Sequence, residues 1–408
     1  MEQLVARYFV LLPYLLGFVY LMQWRGSRYL TWALILVSLI IIFTNIGLWA
    51  KQKFNIITYT VVYVVIVLLY ELIAPPTPEI YNPYSELCYY LFLVVGLSFW
   101  LIGYKGYDIF SEFNKKVLAV MMIAGLLYGY YRMSIVGSIA AYLEQGADES
   151  VAMFLYQFVP YFLLWFTAAF FIYKRRMQVA IVLLFVFVIM VSTKRGPLVS
   201  MACGFLGIIV LQRKMTPKQL LILILLCIVG YIVLDTLFSS YLQQFIGRWT
   251  GASSQSKDFD VTSHRTDIWE LVLNHIGNQS IVSTVLGNGF EASHKLMYRW
   301  LWGSMGSHND FIDILYNFGL VGFLPFILLI VSYTRYMFLA IRTNFRYSSM
   351  MIYLLACFVV GSMLSSNMTR FATSFFGVLF YYLAGLLTRE TKLKHNNVLN
   401  NKKTRYNQ

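Results

Sequence analysis

The sequence predicts an all-α polytopic membrane protein of about twelve transmembrane helices, and three observations carry that prediction. Of 408 residues, 59% are hydrophobic and only 12% charged, where a soluble domain has about 25% charged. The mean hydropathy is +0.65. Apolar runs of roughly 17 to 25 residues, each able to cross a bilayer core as a helix, recur along the whole chain.

In order, the runs cover 7–24, 29–50, 55–74, 87–104, 117–140, 153–173, 178–193, 197–212, 219–238, 309–334, 350–366 and 371–388. The first lacks a basic segment and a small-residue cleavage site, so it is expected to be a retained span and not a signal peptide. No soluble domain, repeat or low-complexity stretch interrupts the series, so 1–388 reads as one transmembrane domain. The polar tail, 389–408, is expected to be cytoplasmic and disordered. Cys88, Cys203, Cys227 and Cys357 lie in apolar runs without ligand spacing and read as small hydrophobes.

Orientation follows from loop charges. Lys51 and Lys53, then Lys105, Lys115 and Lys116, then Lys174, Arg175 and Arg176 mark alternate loops. Arg213, Lys214 and Lys218, then Arg342 and Arg346, then the tail continue the series. The positive-inside rule makes that side the cytoplasm, with both termini on it. The net charge of +14 is therefore topological, and no nucleic-acid partner is expected.

Cations outside this pattern carry more information. Lys194 and Arg195 sit in a tight outer turn, STKRGP, against the insertion bias, which favours a functional role. Arg132 falls within an apolar run, where a charge costs at least ~2.5 kcal/mol on insertion scales. Arg132 and outer Arg370 read equally as substrate ligands or as snorkelling anchors.

The longest connection, 239–307 between spans nine and ten, is also outer. Ile268, Leu271, Val272, His275 and Ile276 fall on one face of a helix led by Arg265, with Ser263 as the expected N-cap. The stretch Met297 to Trp302 suits the membrane interface. Short helices over a cavity open to the outer leaflet are expected here.

Arginine's planar fork donates to two oxygens at once and stays charged, which suits a diphosphate. Arg195 and Arg265 both reach the outer face and would clamp one. His308, at the mouth of span ten, can accept a hydroxyl proton near neutral pH, or else simply caps the helix. His264, His275, His294 and His395 lack that setting and read as solvated or structural. Asp258-Phe259-Asp260 is the only D-x-D, and it lies in an exposed polar stretch without a nucleotide-binding context, so no metal or other cofactor is expected.

The chain resembles the bacterial O-antigen ligase and polymerase superfamily, membrane glycosyltransferases of the GT-C type. Three ordered motifs carry the resemblance: Thr193-Lys194-Arg195-Gly196; His264-Arg265-Thr266-Asp267-Ile268-Trp269 with Leu286-Gly287-Asn288-Gly289-Phe290; and His308-Asn309-Asp310-Phe311 leading to Gly319. Family ligases often show leucine four positions after a key arginine, where this chain has Val199 and Trp269.

The resemblance implies inverting, metal-independent glycan transfer from undecaprenyl diphosphate. It gives Arg195 and Arg265 the diphosphate and His308 the acceptor hydroxyl, as the catalytic set. Lys194, Arg132, Arg370, Arg248, Arg299 and Asp310 are the further residues assigned to substrate binding. The expected activity is repeat-unit polymerisation in the inner membrane, with O-antigen ligase as the alternative and a lipid-linked oligosaccharide flippase as the rival without covalent chemistry. Expected partners are the lipid-linked oligosaccharides, membrane lipid and a chain-length regulator.

Overall fold

The computed structural model describes residues 27–49, 56–73, 83–110, parts of 114–127, 195–212, 265–301, 306–365 and 371–406. Among the described residues all regular structure is helical. The helices are α1 Ser27–Thr44, α2 Ile46–Trp49, α3 Ile56–Ile73, α4 Pro83–Lys105, α5 Arg195–Gln212 and α6 Arg265–Asn278. They continue as α7 Ile281–Leu286, α8 Ala292–Leu301, α9 Asp310–Arg342, α10 Ser348–Ser365 and α11 Phe371–Tyr406.

Seven expected spans correspond to α1, α3, α4, α5, α9, α10 and α11. The spans at 7–24, 153–173, 178–193 and 219–238 lie outside the described residues, and the one at 117–140 is described only in parts of 114–127. By length and composition α3 and α9 can each cross a membrane, and four shorter apolar helices accompany them among the described residues. Outward faces are apolar: Leu36, Ile40 and Phe43 on α1, Val61, Val65 and Leu69 on α3, and Leu324 and Leu328 on α9 are all exposed. Water would not tolerate that much exposed apolar side chain, whereas lipid does. Such a surface is consistent with a polytopic membrane protein.

Lipid gives no hydrophobic reward for helix association, so helices approach through small residues. Gly103 on α4 lies against the Tyr382 carbonyl of α11, and Gly385 on α11 against the Trp100 carbonyl of α4; a Cβ at either would overlap that oxygen. The two helices run parallel. Helix α3 runs antiparallel to α9, with Tyr63 on Phe326 and Tyr70 on Phe318, ring centroids 5.9 and 5.2 Å apart. Helices α5 and α10 are also antiparallel: Gln212 bonds Ser348 and Ser349 at one end, and the Cys357 thiol reaches the Ser200 carbonyl towards the other. Arg195, Leu364, Tyr70 and Asp310 therefore share one end of the bundle.

Two elements differ from the sequence expectation. The tenth span is not one continuous helix: α9 is interrupted at Gly319, with φ 58° and ψ −160°, and it runs on to Arg342. The polar tail, expected to be disordered, is helical as far as Tyr406. Extending a helix already nucleated in the bundle costs little per residue, and Lys392 anchors the extension by donating to the Tyr104 hydroxyl at 3.1 Å.

Candidate active site

Three short helices of the long connection converge on the Asp310 end of α9. Ile268 and Val272 of α6 are buried against Leu296 and Met297 of α8 and Ile312 of α9. This confirms the apolar face read for 266–276. His275 is absorbed structurally, its Nδ1 2.9 Å from the Leu271 carbonyl. Met297, expected at the membrane interface, is fully buried in this small core. Its unbranched side chain fills the gap between α6 and α8.

The glycine turn after α7 docks into the break in α9. Asn288 donates its backbone N–H to the Tyr316 and Asn317 carbonyls at 3.1 Å, and Gly289 donates to Asn317 at 3.0 Å. Interrupting α9 frees these carbonyls from helical partners. Asn317 also receives the Ser293 N–H on its side-chain oxygen at 2.7 Å, tying the start of α8 to the same point.

His308 occupies a turn held on both sides. Ser307 donates its N–H to Asp313 Oδ1 at 3.0 Å, and its carbonyl accepts the Trp269 indole N–H at 2.9 Å. The Ser307 hydroxyl donates to the Asn309 carbonyl at 3.0 Å and accepts the Asn309 N–H at 3.2 Å. Asn309 is the N-cap of α9, accepting from the N–H groups of Phe311 and Ile312. Capping therefore falls to Asn309 and not to His308. His308 itself has φ +59°, a left-handed backbone that an L residue with a large side chain adopts at a cost, usually where function requires it.

The helix starts that carry the two arginines lie at the same end of the bundle as this turn. Arg265 opens α6, and its guanidinium donates to the Leu364 carbonyl at the end of α10. Arg265 and Trp269 are four residues apart on a helix, so they share a face within one turn; Trp269 holds the neighbour of His308. The tryptophan that departs from the family's usual leucine thus supplies a hydrogen bond that leucine lacks. Arg195 is the first residue of α5, at the end of the α5–α10 pair where Leu364 lies.

Of the further residues assigned to substrate, Lys194, Arg132, Arg248 and Arg370 lie outside the described residues, as do Asp258 and Asp260. Arg299, on α8, is exposed and within electrostatic reach of Tyr316. Asp310 is fully buried in the first turn of α9.

Sequence reading missed an acidic cluster beside this turn. Glu291 and Asp313 are each 3% exposed and Asp310 is fully buried. Tyr90 donates to Glu291 Oε1 at 3.2 Å, and Glu291 Oε2 lies 3.3 Å from His294 Nε2. The carboxylates of Glu291 and Asp310 act electrostatically on the Tyr63 hydroxyl, and both together with Asp313 act on that of Tyr90. His294, read as solvated or structural, is in fact largely enclosed beside Glu291. The available signal was two titratable residues three apart, directly after the glycine turn of a chain poor in charge. Tyr63 and Tyr90 gave no signal, since they sit within ordinary apolar spans.

No curated protein matches the chain. Residues 180–327 match the family described as O-Antigen ligase, a region that includes α5, the short helices α6 to α8 and the Gly319 break. The match supports the resemblance read from the motifs: over residues 180–327 the chain is similar to the O-antigen ligase/polymerase superfamily.

Proposed function

We propose that the protein is a polysaccharide repeat-unit polymerase of the bacterial inner membrane. It moves a growing glycan from undecaprenyl diphosphate to the non-reducing end of a new lipid-linked repeat unit. The observation that carries this reading is the convergence of Arg265, the first residue of α5 and the locked His308 turn at one end of the bundle. In this reading two forked cations, Arg195 and Arg265, meet a donor whose leaving group gains negative charge.

In the proposed reaction the acceptor hydroxyl attacks the anomeric carbon as the bond to the diphosphate breaks. The hydroxyl proton passes to His308, and undecaprenyl diphosphate leaves with the bonding pair on its own oxygen, the added negative charge met by the arginines. Attack opposite the leaving group inverts the anomeric centre, and the arginines do the work a metal does elsewhere. Holding two lipid-anchored substrates in register supplies much of the rate. The site faces away from the cytoplasm, both termini are cytoplasmic, and a chain-length regulator is the fitting partner.

The family description favours a second reading, in which the acceptor is lipid A–core and the enzyme is a ligase. A flippase would need charges along a central path through the midplane, whereas the functional cations gather at one end. The test is purified protein with undecaprenyl-diphosphate oligosaccharide. Products longer by whole repeat units support polymerase, and transfer only when lipid A–core is added supports ligase. No covalent product with either acceptor would overturn the enzyme reading.

A further inference from the structure

Two of the three described non-glycine residues with positive φ are Glu291, at 54°, and His308, at 59°. The chain uses glycine at positive φ just upstream, at Gly287 and Gly289. At position 291 it keeps a buried glutamate in the same unfavourable conformation. A turn alone would be better served by glycine, so the carboxylate itself is what the position retains.

That carboxylate leads directly to the His308 turn. Glu291 Oε2 is 3.3 Å from His294 Nε2. Gly306 sits between His294 and Asp313: a Cβ there would lie 2.9 Å from His294 Nε2 and 2.7 Å from Asp313 Oδ2. Asp313 then holds the Ser307 N–H at 3.0 Å, next to His308. Tyr90 from α4 secures the far oxygen of Glu291, while Tyr63 and Asp310 face the same cluster from α3 and α9. Space for a side chain at 306 is absent, so the turn seats only while these groups hold their places.

We propose that Glu291, His294 and Asp313 form a buried carboxylate–imidazole–carboxylate clamp that positions His308. It deepens the reading of His308 as the group that meets the acceptor and rests on that reading. These three are positioning residues: Asp313 holds the turn directly, His294 lies beside Gly306, and Glu291 acts through His294. When the imidazole is protonated, its positive charge lies 3.3 Å from Glu291 Oε2, which offsets the cost of burying that carboxylate.

The test compares wild type with Glu291→Gly, Glu291→Gln, Asp313→Ala and Asp313→Asn in the full-length protein. Glu291→Gly suits the backbone while removing the side chain, so a purely structural turn would keep full activity. The expected result is kcat lowered about 10- to 100-fold, with donor KM within twofold of wild type. Asp313→Asn retains an acceptor for Ser307 N–H and should recover most of the kcat lost in Asp313→Ala. If Glu291→Gly fails to fold, Glu291→Gln carries the same expectation, since it keeps the Tyr90 bond and loses the ionic contact.

A second readout needs no turnover. Carbethoxylation of His308 by diethyl pyrocarbonate, followed on its own peptide by mass spectrometry, should change at least threefold in rate in Glu291→Gln and Asp313→Ala. Wild-type reactivity of His308 and wild-type kcat in all the variants would overturn the clamp. Absence of turnover in wild type would instead count against the proposed function, and the labelling would still decide the clamp.

Discussion

Gly287 and Gly319, distant in sequence, meet backbone to backbone. A Cβ on Gly287 would overlap the Asn317 carbonyl, and one on Gly319 would overlap the backbone of Gly287 and Val285. Both have positive φ, 78° and 58°. Tyr70 from α3 covers the contact, donating to the Leu286 carbonyl and, at 3.4 Å, to that of Phe318. The glycine turn and the glycine of the histidine motif, read as separate signals, are two halves of one joint.

Alanine at either glycine should therefore damage the joint twice, by backbone strain and by overlap. A loss of about 1–3 kcal/mol is expected for each from overpacking alone, with positive φ adding to it. The double variant should cost clearly less than the two singles added, because each already opens the same contact. Thermal unfolding in detergent of the two singles and the double reads this directly. Strict additivity would mean the contact is not shared.

His308 combines backbone strain with a proposed chemical role, and substitution separates them. His308→Gly relieves the left-handed φ and should match or exceed wild type in thermal stability. Turnover should still fall ~10²–10⁴-fold if the imidazole serves as general base. Donor affinity should stay close to wild type in both His308→Gly and His308→Ala. Wild-type turnover in His308→Gly would remove the proposed role.

For the arginines, donor binding and catalysis should weaken together. Arg265→Ala or Arg195→Ala should lower turnover by ~10²–10³, the usual cost of losing a preorganised electrostatic donor. Lysine at either position keeps the charge without the fork and should rescue only in part. Donor binding and single-turnover rates on purified variants give both quantities. Full rescue by lysine would show that charge alone suffices.

Trp269 offers a gentler perturbation. Trp269→Leu restores the family's common residue but removes the donor to Ser307. Losing one neutral hydrogen bond is worth about 1 kcal/mol, or roughly a fivefold rate change if it appears wholly in catalysis. Trp269→Phe should behave like Trp269→Leu, since neither side chain donates. If leucine is neutral and phenylalanine harmful, the effect is one of shape.

Cysteine scanning checks the proposed orientation. Single cysteines at 194 and within 253–262 should react with a membrane-impermeant reagent applied to spheroplasts, and those within 212–218 should not. The reverse pattern would move the site to the cytoplasmic face.

Composition and periodicity determined the all-helical class, the apolar helices α1, α3, α4, α5, α9, α10 and α11, and the amphipathic helix led by Arg265. Those signals are local: hydropathy over about 20 residues identifies a span whatever it packs against, and a 3.6-residue period marks a buried face. The three motifs also exposed Arg195, Arg265, His308 and the glycines, because charge and glycine stand out in an apolar chain. Only the tertiary structure decided that Gly287 seats in a break at Gly319, that Asn309 and not His308 caps α9, and that Trp269 holds Ser307. The same is true of Glu291, His294 and Asp313, which lie on different elements and acquire a common role through contact. Left-handed backbone at Glu291 leaves no mark in residue type, since glutamate ordinarily avoids it, and at His308 the mark is slight, since histidine enters that region more often than most residues but still seldom. Local pattern specifies which segments become helices, while long-range backbone contact at the Asp310 end of the bundle specifies which side chains meet.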